Sequence, residues 1–169
     1  VGQRLALGGR DGAVDGSEEH GRHRLQCVVP QLPAFDESTW LNGLYGVGYQ
    51  RGGGGAHDLI ITDVASGTAS VYTRTKFDLV DPSGVNLMLL GADYDDGYVA
   101  WINGVEVYRS PELPPGDPDW NTQATAHESS NGNEPDYGIP IDIAGAGLPA
   151  LQAGQNVLAV GVWNDDAAT

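Results

Sequence analysis

Two residues, Asn103-Gly104, constrain this chain more than any others. They separate residues 98–102 from residues 105–109, two runs rich in β-branched and aromatic side chains. A type I′ turn needs positive φ at both central positions, which Asn and Gly tolerate, and its twist matches that of an antiparallel strand pair. A two-residue loop also fixes register. The expected pairs are Ile102 with Val105, Trp101 with Glu106, Ala100 with Val107 and Val99 with Tyr108. Side chains alternate across a strand. Ala100, Ile102, Val105 and Val107 therefore form an apolar face suited to a core. Val99, Trp101, Glu106 and Tyr108 form the other face, read as a partly exposed aromatic platform.

The surrounding sequence repeats this logic. In residues 70–79, Val71, Thr73, Thr75 and Phe77 face one way, and Tyr72, Arg74, Lys76 and Asp78 the other, the period of a strand. Residues 59–62 are a short apolar run. Residues 85–90 are nearly all apolar, as expected of a central strand buried on both faces. Ile139, Ile141 and Ile143 alternate, residues 148–154 read as a turn-like approach, and residues 156–163 close the pattern as a buried strand. Asp81-Pro82-Ser83-Gly84 and Asp95-Asp96-Gly97 supply turns. No segment has the period of an amphipathic helix. The 25 glycines and 10 prolines among 169 residues suit short strands and tight turns. The fold expected is all-β, an antiparallel β-sandwich over residues 28–169. Residues 1–27 show no sustained period and read as a loosely ordered arm or linker with one short strand at residues 4–7. Residues 52–55 are a glycine loop without the strand and helix that a phosphate-binding loop requires.

Formal net charge is −15, from 8 basic and 23 acidic residues. Arg4, Arg10, Arg22 and Arg24 offset Asp11, Asp15, Glu18 and Glu19, so the whole excess lies beyond residue 30. Such a field repels phosphate backbones and anionic lipid, which argues against nucleic-acid binding. Cys27 is the only cysteine, so no intrachain disulfide forms. Leu25-Gln26-Cys27 lacks the preceding apolar run of a lipoprotein cleavage site. No apolar stretch is long enough to insert in a membrane or serve as a signal peptide. An exported protein would be in mature form here.

Residues 95–109, reading DDGYVAWINGVEVYR, resemble a jelly-roll module of large bacterial secreted proteins. So do residues 151–160, LQAGQNVLAV, and residues 71–77, VYTRTKF. Trp40, Gly43, Gly46, Gly48 and Tyr49 match its entry loop. These modules are similar to the galactose-binding-domain-like fold and to the sugar-binding domain of family 2 glycoside hydrolases. The resemblance covers about residues 33–164. It implies a jelly-roll sandwich, an extracellular or periplasmic location and a structural calcium, without locating the ligands of that ion. In such modules the last strand leads into further chain, so this sequence reads as one piece of a larger protein.

Three kinds of site follow from the residues. Asp93, Asp95 and Asp96 gather hard oxygens in a turn, which suits Ca2+. The spacing is not that of an EF-hand, and aspartates capping turn amides explain the same cluster. Trp101, Tyr108, Trp120 and Asn121 are candidates for a sugar site, because sugar C–H faces stack on aromatic planes while amides bind hydroxyls. Trp120 and Asn121 lie in the long connection of residues 110–136, where a compact domain carries recognition. Packing against the sandwich is the competing explanation for each tryptophan, and the favoured one for Trp40 and Trp163. His127-Glu128 and His57 fit no catalytic motif, so no catalytic residues are expected. Arg74 and Arg109 are expected to pair with acids, their stems covering the sheet. The expectation is a non-enzymatic, extracytoplasmic binding module for carbohydrate. A structural subunit contacting neighbouring proteins is the alternative.

Overall fold

The computed structural model describes residues 30–50 and 55–165. The arm expected at residues 1–27, with its strand at residues 4–7, lies outside them, as does most of the glycine loop at residues 52–55. Among the described residues the strands are β1 (Val47–Gly48), β2 (Thr62–Asp63), β3 (Ser70–Leu79), β4 (Leu89–Leu90), β5 (Gly97–Ile102), β6 (Val105–Arg109), β7 (Ile141–Asp142) and β8 (Gly154–Trp163). One short α-helix, α1 (Ala144–Ala150), precedes β8. The protein is all-β and mostly antiparallel. Its main sheet has the order β3-β8-β5-β6, with β4–β7 a separate antiparallel pair and β1–β2 a short parallel one.

Strand β8 is central because its sequence is apolar on both faces. It pairs with β3 from Ser70↔Trp163 to Leu79↔Gly154, and with β5 from Gly97↔Trp163 to Ile102↔Leu158. Alternation then sorts the core into two layers. On one face Val99, Trp101, Ala159 and Trp163 pack with Leu113 and Ala124, Tyr72 lying against them. On the other, Tyr98, Ala100, Ile102 and Val107 pack with Ile143, and Leu90, Met88, Ile141, Leu158 and Val160 lie against them.

The first face also buries a charge. Arg74 is 1% exposed, with Nε 2.8 Å from Glu37 Oε2. Its guanidinium donates to the Pro30 and Leu32 carbonyls and lies over the Phe35 ring, 5.3 Å from the centroid. Lys76 pairs with the other oxygen of Glu37. Burial pushes the Glu37 carboxyl up, but the Lys76 and Arg74 bonds outweigh it and hold it below the usual range. Arg109 binds Glu106 through two bonds, of 2.9 and 2.7 Å. Arg74 and Arg109 thus pair with acids as expected.

The hairpin turn forms as its sequence requires, with φ of 50° at Asn103 and 87° at Gly104. Asn103 does more than turn the chain. Its Oδ1 accepts the Val157 N–H at 2.8 Å, and its Nδ2 donates to the Ala150 carbonyl at 2.9 Å and to Asn156 Oδ1 at 2.7 Å. Fully buried Asn156 accepts a second bond from the Gln152 N–H and donates to the Gln152 and Gly154 carbonyls. The hairpin tip, the end of α1 and the start of β8 are joined in one satisfied network.

Four expectations need correction. The hairpin register holds at Ile102↔Val105 and Trp101↔Glu106, then shifts: Ala100 faces Tyr108 and Val99 faces Arg109. A β-bulge has placed two residues, Val107 and Tyr108, opposite one. Residues 85–90 are no central strand. Only Leu89–Leu90 pairs, with Leu89 55% exposed, and β8 takes the centre. In residues 59–62, Leu59 ends a 3-10 helix (Gly55–Leu59) and pairing starts at Thr62. The stretch leading to residue 154 contains helix α1 rather than turns alone. Its seven residues are too few to show a period, and it forms because Asp142 Oδ1 accepts the Ala144 N–H while Gly147 sits on Met88. A Cβ on Gly147 would lie 2.8 Å from Met88 Sδ, so glycine permits that approach.

Asn156→Ala strands the groups that Asn156 satisfies. A buried unsatisfied group costs about 1–3 kcal/mol, so the variant is expected to lose about 3 kcal/mol of stability in urea unfolding. A loss under about 1 kcal/mol would show that the network does not hold the hairpin.

Candidate functional site

Helix α1, strands β4 and β7 and the long connection cover the Tyr98 face of the main sheet, and between them an open cleft of about 310 Å3 remains. Its lining includes Tyr94, Tyr98 and Tyr108, with His127, Asp93, Asp136 and Tyr137 around them. The bulge in β6 creates the tyrosine floor. An unbroken register would set Tyr108 opposite Val99, on the Trp101 face. The shift turns it onto the Tyr98 face, where the two rings meet at 5.4 Å. Tyr94 packs on Tyr98 at 4.6 Å, and His127 stacks flat on Tyr94, with centroids 4.2 Å apart and planes 5° off parallel. On the rim, Tyr137 packs close against Gly91, which has no side chain: a Cβ there would lie 3.0 Å from Tyr137 Cβ.

The connection expected at residues 110–136 is present without regular structure, and it wraps the end of the sheet. Its first part lies on the Trp101 face. There Trp163 Nε1 donates to the Asp119 carbonyl at 2.6 Å and Ser70 Oγ to the Trp120 carbonyl at 2.8 Å. It then rounds the corner and crosses to the cleft. Asp96 holds the corner, its Oδ1 accepting the His127 N–H and its Oδ2 the Asp165 N–H, both at 2.8 Å. Asp93 holds the rim. Its carboxylate accepts from the Ser130 N–H (2.8 Å), Ser130 Oγ (2.5 Å) and the Asp136 N–H (3.0 Å). Burial raises the Asp93 carboxyl, but the bonds from Ser130 win and hold it below its usual value.

The polar chemistry of the cleft is that of neutral donors and carboxylate acceptors. Tyr94 donates to Glu112 Oε2 at 3.2 Å. Desolvation and the Glu112 charge push the Tyr94 phenol up to about 12. Burial raises Tyr98 and Tyr108 as well, with Tyr108 and Glu112 the next contributors respectively. All three hydroxyls therefore keep their protons at neutral pH. His127 Nδ1 lies 3.1 Å from the Tyr94 carbonyl. A carbonyl only accepts, so Nδ1 carries the proton.

The structure divides the sequence-derived site residues. Tyr108 and Asp93 line the cleft. Trp101 is no platform: it is 5% exposed, packed among Val99, Ala159 and Trp163, because its side of the sheet is covered by residues 113–124. Trp120 is 58% exposed and Asn121 adjoins it, but both sit on the loop over the opposite face. Tyr94, Tyr98, His127, Asp136 and Tyr137 were not singled out as ligand-binding. The clue available was the tyrosine spacing around the Asn-Gly turn, which only the bulge brings together.

The carboxylates of Asp93 and Asp96, two of the three expected calcium ligands, are engaged by donors of the protein itself. Both oxygens of Asp93 and both of Asp96 receive N–H or O–H donors from the connection or the chain end. Among the described residues no group of three His, Cys, Asp or Glu side chains is arranged to hold a metal ion. Asp93 and Asp96 cap backbone amides of the long connection and of Asp165 rather than of their own turn. Asp95 is left crowded. Partial desolvation and the charges of Asp96, Glu128 and Asp165 push its carboxyl up to about 6. Among the described residues no helix is long and apolar enough to cross a membrane.

No protein-family model matches the chain, and no curated protein matches it.

A carboxyl whose pKa is raised on folding contributes stability below its unfolded value and loses it as pH rises through the folded value. Asp95 goes from the ordinary 3.8 to about 6, so the loss falls between pH 4 and 6. Asp95→Asn is expected to raise the melting temperature at pH 7 and leave it nearly unchanged at pH 4. Thermal unfolding followed across that range checks it; an equal shift at both pH values would show that Asp95 charge is not the cause.

Proposed function

We propose that this chain is a non-catalytic, extracytoplasmic binding module of the jelly-roll, galactose-binding-domain-like kind, and that its cleft takes carbohydrate. The observation that carries this reading is the composition of the cleft: tyrosine rings as floor, phenol hydroxyls as donors, and carboxylates and backbone around the rim. Sugar rings need that pairing, an aromatic plane for C–H faces and fixed polar groups for hydroxyls. The cleft is open rather than enclosed, which suits a chain-like ligand. His127 stacks on the Tyr94 ring and holds its Nδ1 at the Tyr94 carbonyl, so it forms a wall of the cleft.

The reading as a structural subunit of a larger extracytoplasmic assembly has one specific support. Leu87, Leu89 and Ile139 are exposed beside the β4–β7 pair, Ile139 at 91%. Apolar residues grouped on a surface mark interfaces. Ile139 also lines the cleft, however, where it serves a ligand equally well.

Affinity electrophoresis and a glycan array on the intact chain test the proposal. Tyr137→Ala and Tyr108→Ala are expected to weaken binding about tenfold or more, the loss of about 1.4 kcal/mol of ring contact. Trp120→Ala, on the opposite face, should leave affinity unchanged, and chelator should not alter it. Absence of binding to any glycan would overturn the proposal, as would a Trp120→Ala variant weaker than both tyrosine variants.

A further inference from the structure

Resting on the carbohydrate reading of this cleft, we propose that the sugar it selects carries a free ammonium group: an amino sugar rather than a neutral or acidic one. The carriers are the ring faces and the carboxylates, which act in the same direction. Tyr94 is covered by His127 and Tyr98 is buried, so the accessible rings are those of Tyr108 and Tyr137. An aromatic face attracts a cation placed over it. Glu128 and Asp136 line the same cleft as these rings, and among the described residues neither pairs with a lysine or arginine. Among the described residues Glu128 Oε2 accepts from Asn131 Nδ2 at 3.2 Å, and Asp136 Oδ1 from the Gly138 N–H at 2.9 Å.

The cations elsewhere complete the argument. Among the described residues the lysine and arginine side chains are Arg74, Lys76 and Arg109, and every one is paired with a carboxylate, Glu37 or Glu106. None lines the cleft. A uronate or other anionic sugar would thus meet Asp93, Glu128 and Asp136 with no arginine or lysine among the described residues to receive it, the geometry that rejects a ligand by like charge. A neutral sugar gains the stacking alone. An amino sugar gains the stacking, an ammonium–carboxylate contact and a ring face.

The test is titration calorimetry of the intact chain with a glucosamine oligomer, its N-acetylated counterpart, an oligogalacturonate and spermidine, below the amine pKa and at two salt concentrations. Exposed charge pairs are worth up to about fivefold each, so two carboxylates together reach about tenfold, and they weaken with salt. The glucosamine oligomer is expected to bind about tenfold more tightly than the acetylated one, with no binding of the galacturonate. Added salt should shrink that advantage, and the isosteric pair Glu128→Gln with Asp136→Asn, both at the surface, should abolish it. Equal binding of the acetylated oligomer, or any preference for the galacturonate, overturns the amino-sugar proposal and leaves the carbohydrate reading standing. Binding of spermidine but of no oligosaccharide, or of nothing at all, overturns both.

Discussion

The buried contact between Asn103 and Asn156 is the constraint on which the remaining architecture depends. One amide turns the hairpin, the other opens the central strand, and each satisfies the other. Because Asn156 is sealed from water and Asn103 is half-buried against it, any shift in register would leave polar groups unpaired, and that cost is larger than most single contacts could repay. The pairing of β5 with β8 is thus locked at one end. From that lock the alternation of side chains places Trp101 and Trp163 on one face and Tyr98 on the other.

The two faces of the sheet are closed by different means. On the Trp101 side, residues 30–37 bring Glu37 to Arg74, and a buried pair of this kind favours one arrangement because its breakage is so costly. On the Tyr98 side the covering elements are short, and they do not reach across the whole sheet. What they leave open is the cleft. Its existence follows from incomplete coverage, and its chemistry follows from the bulge that turns Tyr108 inward.

The connection after β6 links the two. It runs along one face, rounds the end of the sheet and forms the rim on the other, held by Asp93 and Asp96. These aspartates show how a sequence pattern can be legible and its role still hidden. Clustered carboxylates fit a cation, a turn or a distant amide equally well in one dimension. Only the fold shows that residues 127, 130, 136 and 165 deliver their N–H groups to them. Tryptophans posed the same difficulty: Trp101 and Trp120 differ in burial because of what lies over each, which neighbouring residues do not record.

From the sequence alone came the all-β class, the turn at Asn103-Gly104, the bounds of β6 and β3 and the long unstructured connection. These rest on local preferences: positive φ, alternation and turn chemistry act over a few residues. Helix α1, the exposed β4, the bulge and the location of the cleft were decided by tertiary structure. Each depends on a partner far along the chain, such as Met88 beneath Gly147 or Ala100 opposite Tyr108, and a side chain's surroundings are set by packing rather than by its neighbours in sequence.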